Sequence, residues 1–162
     1  MRRLPLPVVI LLAPTFLLTG ACQKAPSGQP PVTEAQAARI AETAEASFTT
    51  GDANKVMAQY AEGAVMIDAA APTPSADRKV QTGWARNFVS MQPADYSVPD
   101  RRIQLLGPDA FISSGTETFT VAAGAARPRV SARFTDVFQR QKDGAWKIVH
   151  EHVSMLPQPA GQ

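Results

Sequence analysis

Between residues 33 and 48 the apolar positions Ile40, Ala41, Ala44 and Phe48 recur at three- to four-residue spacing, the period of a helix that turns one stripe toward a core. Ahead of them, Thr33-Glu34-Ala35-Gln36 fits a capping box: the Thr33 hydroxyl accepts an early backbone N–H and Gln36 reaches back to the cap. Gly51 supplies a left-handed stop, and Asp52 caps a second, shorter helix predicted to run through Tyr60. Residues 64–68 suit a short strand, residues 69–76 a proline-punctuated loop, and Trp84 and Phe88, four apart, a third amphipathic helix over residues 81–91. Beyond Pro93 the pattern becomes alternating. It predicts strands over residues 96–106, 110–122, 129–140 and 146–155, with turns at Gly107-Pro108-Asp109, Gly124 and Asp143-Gly144. Asp-Gly between two alternating runs accepts the positive φ angles of a tight hairpin. Helices first and a meander afterwards give an α+β fold, a cone-shaped roll in which about three N-terminal helices pack in the concave face of a strongly curved antiparallel sheet.

The beginning of the chain has a different texture. Met1-Arg2-Arg3 is positive, and residues 4–18 carry no charge but are too short and too broken by Pro5, Pro7 and Pro14 to span a bilayer permanently, which is the pattern of an export signal. Leu18-Thr19-Gly20-Ala21-Cys22 resembles the bacterial lipobox, whose cysteine is acylated before cleavage. A simple cleaved signal with a chance cysteine is the other reading, but Cys22 is the chain's one cysteine and stands where lipid modification needs it. The expected organisation is a lipoprotein signal peptide (1–21), a lipid-anchored tether (22–31), one domain (32–157) and a disordered tail (158–162). Gln23, rather than aspartate, after the acylated cysteine favours the periplasmic side of a bacterial outer membrane as the destination.

With a single cysteine no intrachain disulfide can form, so the core must hold the domain alone. The formal charge of +2 includes Arg2 and Arg3; without them 14 basic side chains balance 14 acidic ones. A strongly basic nucleic-acid binder is therefore not expected.

Phe48-Thr49-Thr50-Gly51-Asp52, the run from Tyr60 to Asp68, Gly83, and above all Gly144-Ala145-Trp146-Lys147-Ile148-Val149-His150-Glu151-His152 resemble the nuclear transport factor 2-like superfamily, closest to its SnoaL-like and ketosteroid isomerase-like branches. The resemblance implies the α+β roll. It does not fix a function, because this fold carries isomerases, dehydratases, cyclases and interaction modules. It also implies that Asp68 stands where such isomerases place a proton-shuttling aspartate and Asp136 where they place a second, hydrogen-bond-donating acid. Their tyrosine in the first helix is replaced by Ala44, with Tyr60 the candidate substitute donor.

Alternation divides the last hairpin into two faces. Phe134, Asp136 and Phe138 with Val149, Glu151 and Val153 mix apolar walls with acids, as a small-molecule pocket does, and Glu117 joins them by alternation with Phe119. Arg133, Thr135, Val137 and Gln139 with Trp146, Ile148, His150 and His152 form the other face, suited to a subunit contact. Plain structural readings stand beside these. Asp68 could satisfy backbone N–H groups at a strand end, Asp136 and Glu151 could pair with Arg133 or Arg129, and Trp84 could be core or rim. His150-x-His152 shows no third ligand, so no metal is expected.

The expected function is a membrane-anchored domain with an acidic-apolar pocket, acting as a cofactor-free proton-transfer enzyme of isomerase, dehydratase or cyclase type on a small hydrophobic molecule. Asp68, Asp136 and Tyr60 are the candidate catalytic residues. The alternative is a non-catalytic ligand-binding or dimerisation module of the cell envelope; a homodimer is expected in either case.

Overall fold

The computed structural model describes residues 29–157. The expected export signal, Cys22 and most of the expected tether, together with the expected tail, lie outside these residues. Helix α1 (Glu34–Glu45) opens on the expected capping box: Gln36 N donates to Thr33 Oγ1 at 3.3 Å and Thr33 N donates to Gln36 Oε1 at 3.0 Å. Ala37, Ala41 and Ala44 form its buried stripe, and their small side chains let the helix lie close on its neighbours. A 3₁₀ turn (Ala46–Thr49) follows, Gly51 takes φ +70°, and Asp52 caps α2 (Ala53–Met57) through Asn54 N at 2.9 Å.

The second helix stops three residues before Tyr60, which instead begins strand β1 (Tyr60–Ile67). That strand lies parallel to the last one, so the sheet is mixed and not wholly antiparallel. The α3 helix (Arg78–Ser90) is capped by Asp77, and its Gln81 ties it to β1 by donating to Ala64 O at 2.6 Å. The strand expected over 96–106 is broken into β2 (Ala94–Ser97) and β3 (Arg102–Gly107), both on β4 (Ala110–Thr120). The break follows from Gly115: a Cβ there would lie 3.0 Å from Asp100 Oδ1, which binds Thr116 N at 2.7 Å. This crossing loop turns Arg101 inward.

Strands β5 (Arg129–Arg140) and β6 (Trp146–Met155) complete the order β1-β6-β5-β4-β2. Their connecting turn takes positive φ at Gly144 alone, not at Asp143. The register between them is continuous from Met155 to His150, then slips by one residue, so that Val137 faces His150 and Phe138 faces Ile148. Val149 is the extra residue of a β-bulge. The bulge corrects the two-face division: Ile148 is buried, and Trp146 packs on the core with its ring 5.3 Å from Phe111, so neither belongs to the outer face. At this end Phe111 and Phe138 stack at 4.7 Å.

The end of the expected tether is docked. Arg140 donates to Gln29 Oε1 at 2.6 Å and to Pro30 O at 3.0 Å, while its guanidinium lies 5.0 Å over Trp146. Buried Val32 then anchors the chain, its N–H bound to Pro108 O.

Arg101 forms two hydrogen bonds of 2.6 Å with the buried carboxylate of Glu45 and a third, of 3.0 Å, to Ser113. Removing one partner of such a pair strands the other charge away from water. Arg101→Met is expected to lower the unfolding free energy by about 3–5 kcal/mol, and adding Glu45→Leu should recover most of it. Urea unfolding of the two variants and the parent checks both.

Candidate functional site

Four buried acids point to the inner face of the sheet or lie against it: Glu45 from α1, Glu117 from β4, Asp136 from β5 and Glu151 from β6. Strand alternation explains three of them. On β4, Glu117 shares its face with Phe119; on β5, Ala132, Phe134, Asp136 and Phe138 are all buried while Arg133 and Gln139 are exposed. Asp136 and Glu151 are directly opposed on adjacent strands. Neither pairs with an arginine, since Arg133 projects outward and Arg129 binds Thr118.

Glu151, Glu117 and the half-buried Asp68 are each gripped by an aromatic donor. The Tyr60 hydroxyl donates to Glu151 Oε2 at 2.5 Å, the Tyr96 hydroxyl to Glu117 Oε2 at 2.6 Å, and the Trp84 indole N–H to Asp68 Oδ2 at 3.0 Å. Asp68 Oδ1 also accepts Ala70 N at 2.9 Å, so the strand-end backbone role foreseen for it is real. Asp136 is the exception: its Oδ1 is buried without a hydrogen-bond partner, as is the second oxygen of Glu151.

Burial dominates the electrostatics. It raises the Glu151 carboxyl from 4.5 to about 8 against the lowering effect of the Tyr60 hydrogen bond. Asp136 is pushed well above the carboxylate range by burial and then by Glu151 facing it. Glu117 is raised by burial, with Tyr96 opposing. Both tyrosines are raised, by burial first and then by the acids they hold. Two carboxyls side by side in a dry interior cannot both ionise, so the Asp136–Glu151 pair retains a proton at neutral pH.

A pocket of about 280 Å³ opens between α3 and the sheet. Asp68 and Glu117 line it with Trp84, Phe88, Phe119, Val130, Ala132 and Val153. A neighbouring cleft of about 260 Å³ lies under the proline loop, and Asp68 and Trp84 line that one too, so their hydrogen bond stands between the two. A larger groove of about 540 Å³ lies elsewhere, along Glu42, Asp95 and the Glu45–Arg101 pair, whose charges are already satisfied.

Of the residues singled out from sequence, Asp68, Glu117 and Val153 therefore share the inner pocket. Asp136, Glu151, Phe134 and Tyr60 are buried on the inner side but do not line it. Two expected walls are displaced: Phe138 is part of the core against Phe111, and Val149 stands at the bulge. Tyr60 has its hydroxyl proton committed to Glu151, which removes it as a donor to a substrate oxygen. His152 is exposed and His150 half-buried, opposite Thr135 and Val137. Among the described residues no three His, Cys, Asp or Glu side chains are grouped to hold a metal.

Sequence reasoning passed over Tyr96, Arg101 and Glu45. A signal existed for Glu45, which falls four residues after Ala41 on the apolar stripe of α1. Arg101 gave none, because its direction depends on the loop that crosses Gly115.

The sequence profile of the SnoaL-like domain matches residues 37–158. No curated protein matches the chain significantly. Among solved structures, a candidate calcium/calmodulin-dependent protein kinase II association domain from Xanthomonas campestris is 28% identical at a TM-score of 0.71, covering 78% of this chain and 91% of its own. A candidate ketosteroid isomerase from Shewanella frigidimarina is 16% identical at 0.60, covering 72% and 92%. The epoxide hydrolase/cyclase-like enzyme SalBIII is 16% identical at 0.57, covering 76% and 92%. The last two establish likeness of fold.

The raised Glu151 carboxyl makes stability depend on pH. Between 4.5 and about 8 the folded chain holds a proton that the unfolded chain has released, so stability falls as pH rises through that window and levels off above it. The slope is expected to approach about 1.4 kcal/mol per pH unit for this one proton. Denaturant unfolding at a series of pH values measures it. Glu151→Gln should flatten the profile and raise stability at pH 8, and an equally steep profile in that variant would count against the assignment.

Proposed function

The chain belongs to the SnoaL-like domain family, within the nuclear transport factor 2-like superfamily, and on that premise we propose that its inner pocket is a cofactor-free proton-transfer site for a small hydrophobic substrate, of isomerase, dehydratase or cyclase type. One observation carries the proposal: carboxyls from two separate elements, Asp68 at the end of β1 and Glu117 on β4, line one pocket whose other walls are largely apolar and aromatic. Burial raises the Glu117 carboxyl, which makes it a competent proton donor when neutral.

The two environments divide the labour. Asp68 is held by the Trp84 indole and the Ala70 amide, and acts as the fixed base that removes a proton from carbon. Glu117 is raised by burial and braced by Tyr96, and acts as the acid that protonates the developing oxygen. Asp136 and Glu151, behind the pocket on the same face, keep that end of the cavity acidic. This assignment moves the polarising role from Tyr60 to the Glu117–Tyr96 pair. The likeness of fold to a candidate isomerase and a cyclase-like enzyme supports the class of chemistry.

A second reading has its own observation. Ala44, buried on α1, stands where the isomerase resemblance calls for a tyrosine, and a relative at 28% identity is described as an association domain. On this reading the chain forms a homo-oligomer whose pocket binds without turnover. In both readings we place the domain outside the cytoplasm, held to a membrane by acylated Cys22; the lipobox-like run ending at Cys22 supports this.

Turnover is tested with a β,γ-unsaturated cyclohexenone, whose conversion to the conjugated isomer is followed by ultraviolet absorbance. The native protein should accelerate it, and Asp68→Asn or Glu117→Gln should each lower the rate by about 10²-fold or more. No acceleration by the native protein, or unchanged rates in both variants, removes the enzyme reading. For the anchor, labelling with radioactive palmitate in a bacterial host should be lost in Cys22→Ser; persistence of the label would refute lipidation at that residue.

A further inference from the structure

The inner pocket and the interior behind it together hold four acids, two more than the proposed proton transfer uses. Glu117 and Asp68 line it, and Asp136 and Glu151 stand deeper on the same sheet face, 5% and 4% exposed, each with one buried oxygen that no donor reaches. Val153 and Ala132, which form part of the pocket floor, lie two and four residues from them on the same strand faces. Arg101, whose charge reaches Asp136, is spent on Glu45 and Ser113. Among the described residues no lysine, arginine or histidine lines the pocket.

Three aromatic rings, Trp84, Phe88 and Phe119, share the wall with Asn87 and a set of aliphatic side chains. Trp84 stacks on Phe88 at 5.6 Å, and Phe88 meets Phe119 edge to face at 5.6 Å. Ring faces attract cations and carboxylates pair with them, whereas an anion entering here would meet Glu117 and Asp68 with nothing to offset them. A neutral hydrophobe would fill the space without giving either carboxyl a counter-charge, since Trp84, Ala70 and Tyr96 supply only neutral donors. A bare metal ion is disfavoured by the apolar lining and by the absence, among the described residues, of three grouped ligands.

We infer that this pocket accepts a small organic cation, a protonated amine on an apolar or aromatic body, with its ammonium between Asp68 and Glu117 and its body against Trp84, Phe88 and Phe119. The inference uses the pocket of the proposed function and narrows its substrate class, but it concerns binding and holds whether or not turnover follows.

Three probes of equal shape and different charge test it by isothermal titration calorimetry on the purified protein: 2-phenylethylamine, 2-phenylethanol and phenylacetate. The amine should bind at least about tenfold more tightly than the alcohol, and phenylacetate should not bind measurably. Glu117→Gln should remove most of the preference for the amine over the alcohol. Equal affinity for amine and alcohol, tighter binding of phenylacetate, an undiminished preference in Glu117→Gln, or no binding of any probe overturns the inference. Its failure is separable from that of the enzyme reading. Amine preference without turnover of the cyclohexenone leaves the cation site standing alone, and turnover without charge preference leaves the proton-transfer site alone.

Discussion

Two carboxyls face each other across adjacent strands, Asp136 on β5 and Glu151 on β6, in a part of the sheet closed to water. Like charges at that spacing in a low-dielectric interior repel too strongly for both to be ionised, so the pair keeps a proton where free carboxyls would have lost theirs. The arrangement persists because the surrounding structure leaves no other choice. The same alternation that sends Phe134 and Phe138 inward sends Asp136 inward between them, and the continuous register with β6 brings Glu151 opposite. The site's electrostatic character begins with that pairing.

Around it the fold uses one device repeatedly. A ring-borne donor grips an acid in three places, Tyr60 with Glu151, Tyr96 with Glu117 and Trp84 with Asp68, and the rings also pack as core. A tyrosine or tryptophan brings apolar area and one polar atom together, so it can bury an acid without surrounding it with water. These rings come from β1, β2 and α3, so the positions of the acids record how those elements meet the sheet. Glu45 has a different solution, a two-pronged pairing with Arg101, and its charge is the one fully neutralised in place.

The β-bulge at Val149 divides the inner face into two regimes. Below it Ile148, Phe138, Phe111 and Trp146 form a dry aromatic and aliphatic floor. Above it acids and the pocket take over. Without the extra residue, a β6 strand that keeps Glu151 inward would turn Val149 inward and Ile148 outward. The bulge lets one short strand serve both packing and chemistry.

Much of this was legible from residue order. Thr33 with Gln36, Gly51 and Asp52 announce helix boundaries because capping is local, satisfied within a few residues. Strand alternation around Phe134, Asp136 and Glu151 reveals a shared face because side chains on a strand alternate with period two. What tertiary structure alone decided is long-range. The parallel seat of β1 beside β6, the slip at Val149, the loop over Gly115 that turns Arg101 toward Glu45, and the commitment of the Tyr60 hydroxyl to Glu151 join residues from ten to ninety-one positions apart. No periodicity encodes such contacts, because they depend on how whole elements pack against one another; for that reason Asp68, Glu117, Asp136 and Glu151 could be named from sequence, while which of them line the pocket could not.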